Sequence, residues 1–118
     1  FKQVNDRYTH AVGDEVLLTL ARLVESALRE FDVHARFGGE EFAVILPSAG
    51  AEEARRVMEK LREVVAGFEW EVLAPGLHVT ISAGVAEIAV GEEATPLINR
   101  ADAMLYEAKR AGRNCVHG

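Results

Sequence analysis

From Gly13 to Glu30, the apolar residues Val16, Leu17, Leu20, Leu23, Val24, Ala27 and Leu28 recur at three- and four-residue spacing, which predicts an amphipathic helix. Two short apolar runs follow, Val33 to Phe37 and Phe42 to Leu46, on either side of Gly38-Gly39-Glu40-Glu41 and closed by Pro47. They predict a β-hairpin with the glycines and glutamates at its tip. Helical spacing returns from Ala51 to Val65 through Ala54, Val57, Met58, Leu61, Val64 and Val65, with Gly67 placed to end the helix. Phe68 to Leu73 reads as a minor strand ending at the Pro75-Gly76 turn. His78 to Ile88 reads as a central strand with Val79, Ile81, Ala83 and Val85 on one face. Thr95 is placed to cap a third helix with Pro96 at its first position and a stripe of Leu97, Ile98, Ala101, Met104, Leu105 and Ala108 running up to Gly112. Asn114 to Val116 reads as a last short strand.

An antiparallel hairpin beside helical crossovers implies an α/β sandwich. At 118 residues the chain is one domain, long enough to remove roughly two thirds of its unfolded surface from water. The 49% hydrophobic and 27% charged residues place it with globular proteins. No apolar run approaches the length of a membrane span, and the single Cys115 makes no internal disulfide, so a cytoplasmic location is expected. Cys115 reads as a packing residue. The net charge of −6 argues against nucleic acid as a partner, because phosphate-backbone binding rests on many Lys and Arg. An anionic ligand would need local cations and metal.

Gly38-Gly39-Glu40-Glu41 is the densest chemical signal. Glycines let the backbone approach a ligand closely, and hard carboxylate oxygens at an exposed tip suit magnesium. On local physics alone the same residues also fit a glycine-rich turn with solvated glutamates. His34, His78 and His117 show no metal-ligand spacing.

Five segments in order widen the picture: Phe1-Lys2-Gln3-Val4-Asn5-Asp6, Gly13-Asp14, Arg36 to Phe42, Thr80 to Ala86, and Ala101 to Lys109 followed by Gly112-Arg113-Asn114. Together they resemble the GGDEF family of bacterial diguanylate cyclases, in its GGEEF variant, over essentially the whole chain. The resemblance implies a palm-like, ferredoxin-like nucleotide cyclase fold with a central, mostly antiparallel sheet flanked by helices. It also implies condensation of two GTP into cyclic di-GMP by a homodimer, with magnesium or manganese as cofactor and a regulatory sensor domain upstream. No membrane contact by the domain itself is expected, although it could form the cytoplasmic part of a membrane-anchored sensor.

Site residues carry over position by position. Glu40 resembles the family's metal ligand, and Glu41 an auxiliary carboxylate or proton acceptor, with an exposed hairpin charge as the other reading. Asn5 and Asp14 resemble a guanine-recognising pair, whose amide and carboxylate match the base's donors and acceptors; both residue types also cap helices. Lys2, Lys109 and Arg113 resemble phosphate-contacting cations, and His10 a residue beside the nucleotide. Thr9 stands where the family usually has Gly. Because positive φ is costly for a β-branched residue, the loop either avoids it or carries strain. Arg29 and Asp32 resemble the family's product-binding allosteric site, with Lys60 in the place of its usual secondary Arg. A Lys supplies charge without a planar fork, so weaker product binding is expected. A simple ion pair is the other reading.

The family's first strand, with its metal-binding Asp, precedes the residues matching Phe1-Lys2. These 118 residues alone are therefore expected to bind magnesium poorly, to form no cyclic di-GMP and to be less stable than a chain extended upstream. Two rival readings are a non-catalytic sensor of GTP or cyclic di-GMP and a regulatory domain acting through protein contacts alone.

Overall fold

The computed structural model describes residues 7–118. Lys2 and Asn5, together with the rest of the opening segment, lie outside the described residues. Helix α1 (His10–Ala27) leads to strands β1 (Val33–Arg36) and β2 (Phe42–Ile45), then helix α2 (Ala51–Gly67) and a 3-10 turn (Trp70–Val72). Strand β3 (Ala83–Gly84), helix α3 (Ala94–Arg110) and strand β4 (Val116–His117) complete the order. β1 and β2 pair antiparallel, with Val33 opposite Ile45 and Arg36 opposite Phe42. β3 and β4 pair parallel through the α3 crossover, as parallel neighbours require. The mixed α/β class is as expected, but among the described residues the sheet is two separate two-stranded ladders, one of them parallel, and not one mostly antiparallel sheet.

The core forms where the stripes of α1 and α2 meet. Val16, Leu20 and Val24 pack with Leu61 and Val65, and Trp70, Ala74 and Leu77 close the cluster. Phe42 and Val44 pin the inner face of the hairpin against it, and Val79 and Ile81 add a further edge.

Several expected boundaries move, each for a local reason. α1 begins at His10 because Thr9 caps it, accepting from the Val12 amide at 3.2 Å. It ends at Ala27, and the Asp32 carboxylate then takes the Arg29 amide at 2.8 Å, turning the chain toward β1. Gly67 is the last residue of α2 without taking a left-handed conformation. The expected strand from Phe68 to Leu73 is instead a 3-10 turn, because Trp70 swings inward and its indole Nε1 donates to the Val65 carbonyl at 2.7 Å. Trp70 is 1% exposed while Val72, two residues on, is 77% exposed, so strand alternation fails there.

Of the strand expected from His78 to Ile88, only Ala83–Gly84 finds a ladder partner among the described residues, although Val79, Ile81, Ala83 and Val85 do turn inward. α3 starts at Ala94 with Glu93 at the cap, so Thr95 lies inside the first turn and caps nothing. Pro96 still sits in that turn, where a missing N–H is tolerated. The final strand shifts to Val116–His117 because Asn114 has φ 49°, which no strand accepts. Cys115 packs as expected, with its thiol on the Ala108 carbonyl at 3.3 Å.

Candidate functional site

The hairpin places the signature residues together on one exposed tip. Both the Phe37 and Gly38 amides donate to the Glu41 carbonyl, at 2.7 and 3.3 Å, which closes the turn. The Arg36 Nε donates to the Gly38 carbonyl at 3.3 Å and braces it from the side. Gly38, Gly39, Glu40 and Glu41 are all exposed. A Cβ built on Gly39 would meet nothing within 4 Å, so the space above this backbone is open to a ligand. The two glutamates are adjacent in sequence and reachable by solvent, a donor set of hard oxygens that fits a magnesium ion shared with phosphates.

His10 and Asp14 lie one turn apart on α1 and share a helix face. Both are exposed. Thr9 has φ −97°, so the loop before α1 avoids the left-handed region and carries no strain at that residue. With Thr9 filling the cap, Asp14 is not a capping residue, and the capping alternative for it falls away.

Lys109 and Arg113 sit on one structural unit, the end of α3 and the turn after it. The Arg113 amide bonds the Ala108 carbonyl at 3.1 Å and the Gly112 amide bonds the Lys109 carbonyl at 3.3 Å, with Gly112 at φ 113°. This is a Schellman ending, in which glycine takes the left-handed position. It leaves Lys109 half-buried and Arg113 exposed.

Arg29 and Asp32 are brought together as a two-pronged pair. Arg29 Nε and a terminal guanidinium nitrogen lie 3.1 and 3.0 Å from the two carboxylate oxygens. The guanidinium also donates to the Pro47 carbonyl at 3.2 Å, approaches Glu53 at 3.7 Å and stacks over the Phe31 ring at 4.5 Å. Hydrogen bonding from Arg29 holds the Asp32 carboxyl below the usual carboxylate range, and burial opposes that shift only in part. A cleft of about 370 Å³ opens beside the pair, lined by Glu25, Leu28, Arg29, Glu30, Asp32 and His34. Glu25 and Glu30 oppose an anionic ligand there, a feature that the Arg-x-x-Asp spacing alone did not reveal. Lys60 is exposed on α2.

Two further groups were not singled out from the sequence. Glu87 reaches back to the start of α2, its Oε1 accepting from the Ala51 amide at 2.6 Å, and no local motif signals a contact 36 residues apart. Arg62 holds Glu59 through a fork of bonds at 2.9 and 2.6 Å and also reaches Asn114 at 3.0 Å. The Glu-x-x-Arg spacing on a helix was the available signal for the first of these contacts. Among the described residues, no three of His, Cys, Asp and Glu gather into a metal-binding group.

Residues 1–115 match the family described as "Diguanylate cyclase, GGDEF domain", and the chain belongs to that family. It is 41% identical over 114 residues to the diguanylate cyclase DgcP of Pseudomonas aeruginosa, covering 97% of this chain and 17% of that protein. It is 46% identical over 123 residues to the response regulator PleD of Caulobacter vibrioides, covering all of this chain and 27% of that one. The chain thus spans less than a third of either relative. The crystal structure of the GGDEF domain of DgcB from Caulobacter crescentus in complex with c-di-GMP superposes with a TM-score of 0.91 at 34% identity, covering 98% of this chain and 70% of that one. Among the described residues, no helix is long and apolar enough to cross a membrane.

Proposed function

We propose that this domain is a diguanylate cyclase that condenses two GTP into cyclic di-GMP with release of pyrophosphate, inside the cytoplasm of a bacterium. The observation that carries the reading is the intact, exposed Gly38-Gly39-Glu40-Glu41 tip, with open space above Gly39, in a chain of this family. Asn5 and Asp14 recognise guanine, His10 lies beside the nucleotide, and the glycine backbone admits the phosphates. Lys2, Lys109 and Arg113 neutralise triphosphate charge, which a chain of net charge −6 would otherwise repel. A magnesium or manganese ion held by Glu40 would supply Lewis-acid neutralisation at the phosphates.

The 3′-oxygen of one GTP loses its proton, with Glu41 as an acceptor, and forms a bond to the α-phosphorus of the other. The bond from that phosphorus to the bridging oxygen breaks and pyrophosphate leaves. A second, equivalent step closes the ring. Each domain holds one GTP, so two copies must meet face to face, and dimerisation supplies the orientation that the reaction needs. A regulatory region elsewhere in the protein would control that meeting. Arg29, Asp32 and Lys60 form the product-binding allosteric site, with the Arg29 guanidinium exchanging part of its contact with Asp32 for the product.

The test is product formation from GTP and magnesium by the full-length protein and by Glu40→Gln. Loss of synthesis with an unchanged far-ultraviolet spectrum is expected. Turnover like that of wild type in Glu40→Gln would remove Glu40 from the mechanism. GTP binding without any product by the unaltered protein would instead favour a sensor.

A further inference from the structure

The turn from α3 to β4 stays left-handed for longer than its helix ending requires. Gly112 at φ 113° is the left-handed residue of the Schellman ending. Arg113 at φ 63° and Asn114 at φ 49° continue in the same region, where a residue with a side chain is disfavoured and Arg more so than Asn. Such backbone persists only where its surroundings hold it. Two side chains from elsewhere in the chain do so. The Asn114 amide donates to Ser82 Oγ at 3.2 Å, and Asn114 Oδ1 accepts from a terminal nitrogen of Arg62 at 3.0 Å.

Arg62 is well placed for this task. Its other edge is fixed by Glu59, at 2.9 Å from Nε and 2.6 Å from the second terminal nitrogen, so the guanidinium has little freedom left. Its side chain is 19% exposed, while Asn114 on the turn is exposed. Arg62 is on α2, Ser82 lies just before β3, and the turn that they grip follows α3. Three parts of the fold therefore converge on one residue of the turn, next to the exposed Arg113.

We infer that Arg62 is a positioning residue for nucleotide binding: it clamps Asn114 so that the strained turn presents Arg113 to the phosphates of GTP. This rests on the diguanylate cyclase reading, in which Arg113 is a phosphate cation. Arg62 touches no substrate and acts only through the turn. A Lys in its place cannot grip Glu59 and Asn114 at once, because it lacks the planar fork.

The experiment measures binding of α,β-methylene GTP, which cannot release pyrophosphate, to the full-length protein by calorimetry. The variants are Arg62→Ala, Arg62→Lys, Asn114→Ala, Arg113→Ala and the double variant Arg62→Ala/Arg113→Ala. Asn114→Ala leaves the Arg62–Glu59 pair in place and so tests the clamp even if Arg62→Ala folds poorly. Arg113→Ala is expected to weaken binding roughly tenfold, the loss of one charge-assisted contact. Arg62→Ala, Arg62→Lys and Asn114→Ala should approach the same loss, and Arg62→Ala should add nothing once Arg113 is gone. A purely structural role would make the Arg62 and Arg113 effects multiply, and that result overturns the inference, as does unchanged binding in both Arg62→Ala and Asn114→Ala. If the unaltered protein does not bind the analogue, the nucleotide reading itself fails and this inference falls with it.

Discussion

Gly84→Ala should destabilise the domain sharply, although Gly84 has an ordinary backbone conformation. A Cβ built there would overlap the Ala101 carbonyl oxygen and the Leu105 amide nitrogen, and would lie 2.9 Å from Leu105 Cα. All three are backbone atoms of α3, so no flexible side chain can yield. Reaching an ordinary carbon–carbon separation of about 3.5–4.0 Å requires α3 to withdraw from β3 by roughly an ångström. Overpacking of this kind costs about 1–3 kcal/mol, and a rigid backbone obstacle points to the upper end. At roughly 3–6 °C per kcal/mol for a domain of this size, the melting temperature should fall by about 10–15 °C. The assay is thermal unfolding of the 118-residue chain followed by emission from Trp70, its single tryptophan. Gly39→Ala is the control, because its Cβ would meet nothing within 4 Å and its φ is not left-handed. It should shift melting by less than about 2 °C, as surface substitutions away from special backbone do. If Gly84→Ala melts within that same margin of wild type, α3 and β3 do not meet backbone to backbone and the packing described above is wrong.

Arg29→Ala should weaken cyclic di-GMP binding and relieve product inhibition without lowering the initial rate; equal binding of product by both proteins in calorimetry would leave Arg29–Asp32 as an ion pair only. The same pair predicts an acid sensitivity. The Asp32 pKa is lowered in the folded state, chiefly by its hydrogen bond to Arg29, so its stabilising contribution is present above the unfolded value of about 3.9 and is lost as pH falls through the depressed folded value. The melting-temperature gap between wild type and Asp32→Asn should therefore be constant from neutral pH down to about 5 and should shrink below about 4; a gap that widens on acidification would refute the assignment.

Helices α1 and α2 were legible because their stripes are continuous: the residues at three- and four-residue spacing in them supply most of the buried core cluster. The hairpin was legible because two short apolar runs bracket glycines and a proline stops the second. The extended segments were not. Alternation from His78 to Ile88 reports which side chains turn inward, and Val79, Ile81, Ala83 and Val85 do, but a strand also needs a neighbour, and sequence periodicity carries no information about ladder partners. Trp70 shows a related limit, since its indole could be satisfied by a nearby helix carbonyl as readily as by a place in a sheet. Of the candidate site, the signature tip and the Arg29–Asp32 pair could be read directly. The left-handed pair Arg113–Asn114 and its Arg62 clamp could not, because the contact spans 52 residues and depends on how α2 and α3 pack.

The charged residues of the proposed nucleotide site are divided between two structural units. The carboxylates sit on the antiparallel hairpin, whereas Lys109 and Arg113 belong to the helix end beside the parallel ladder. Those ladders share no strand among the described residues. The hairpin faces the core through Phe42 and Val44, while Val33 and Ile45 on its other face remain 53% and 62% exposed. A one-sided attachment fixes the tip less firmly than burial on both faces would. Coulomb attraction between a phosphate and a cation is largely screened beyond about 10 Å at moderate salt, so Arg113 acts on a ligand only if its turn holds it within that range. On the proposed diguanylate cyclase reading, nucleotide affinity should follow the packing of α2, which carries Leu61 and Val65 into the core on one face and the Arg62 contact with Asn114 on another.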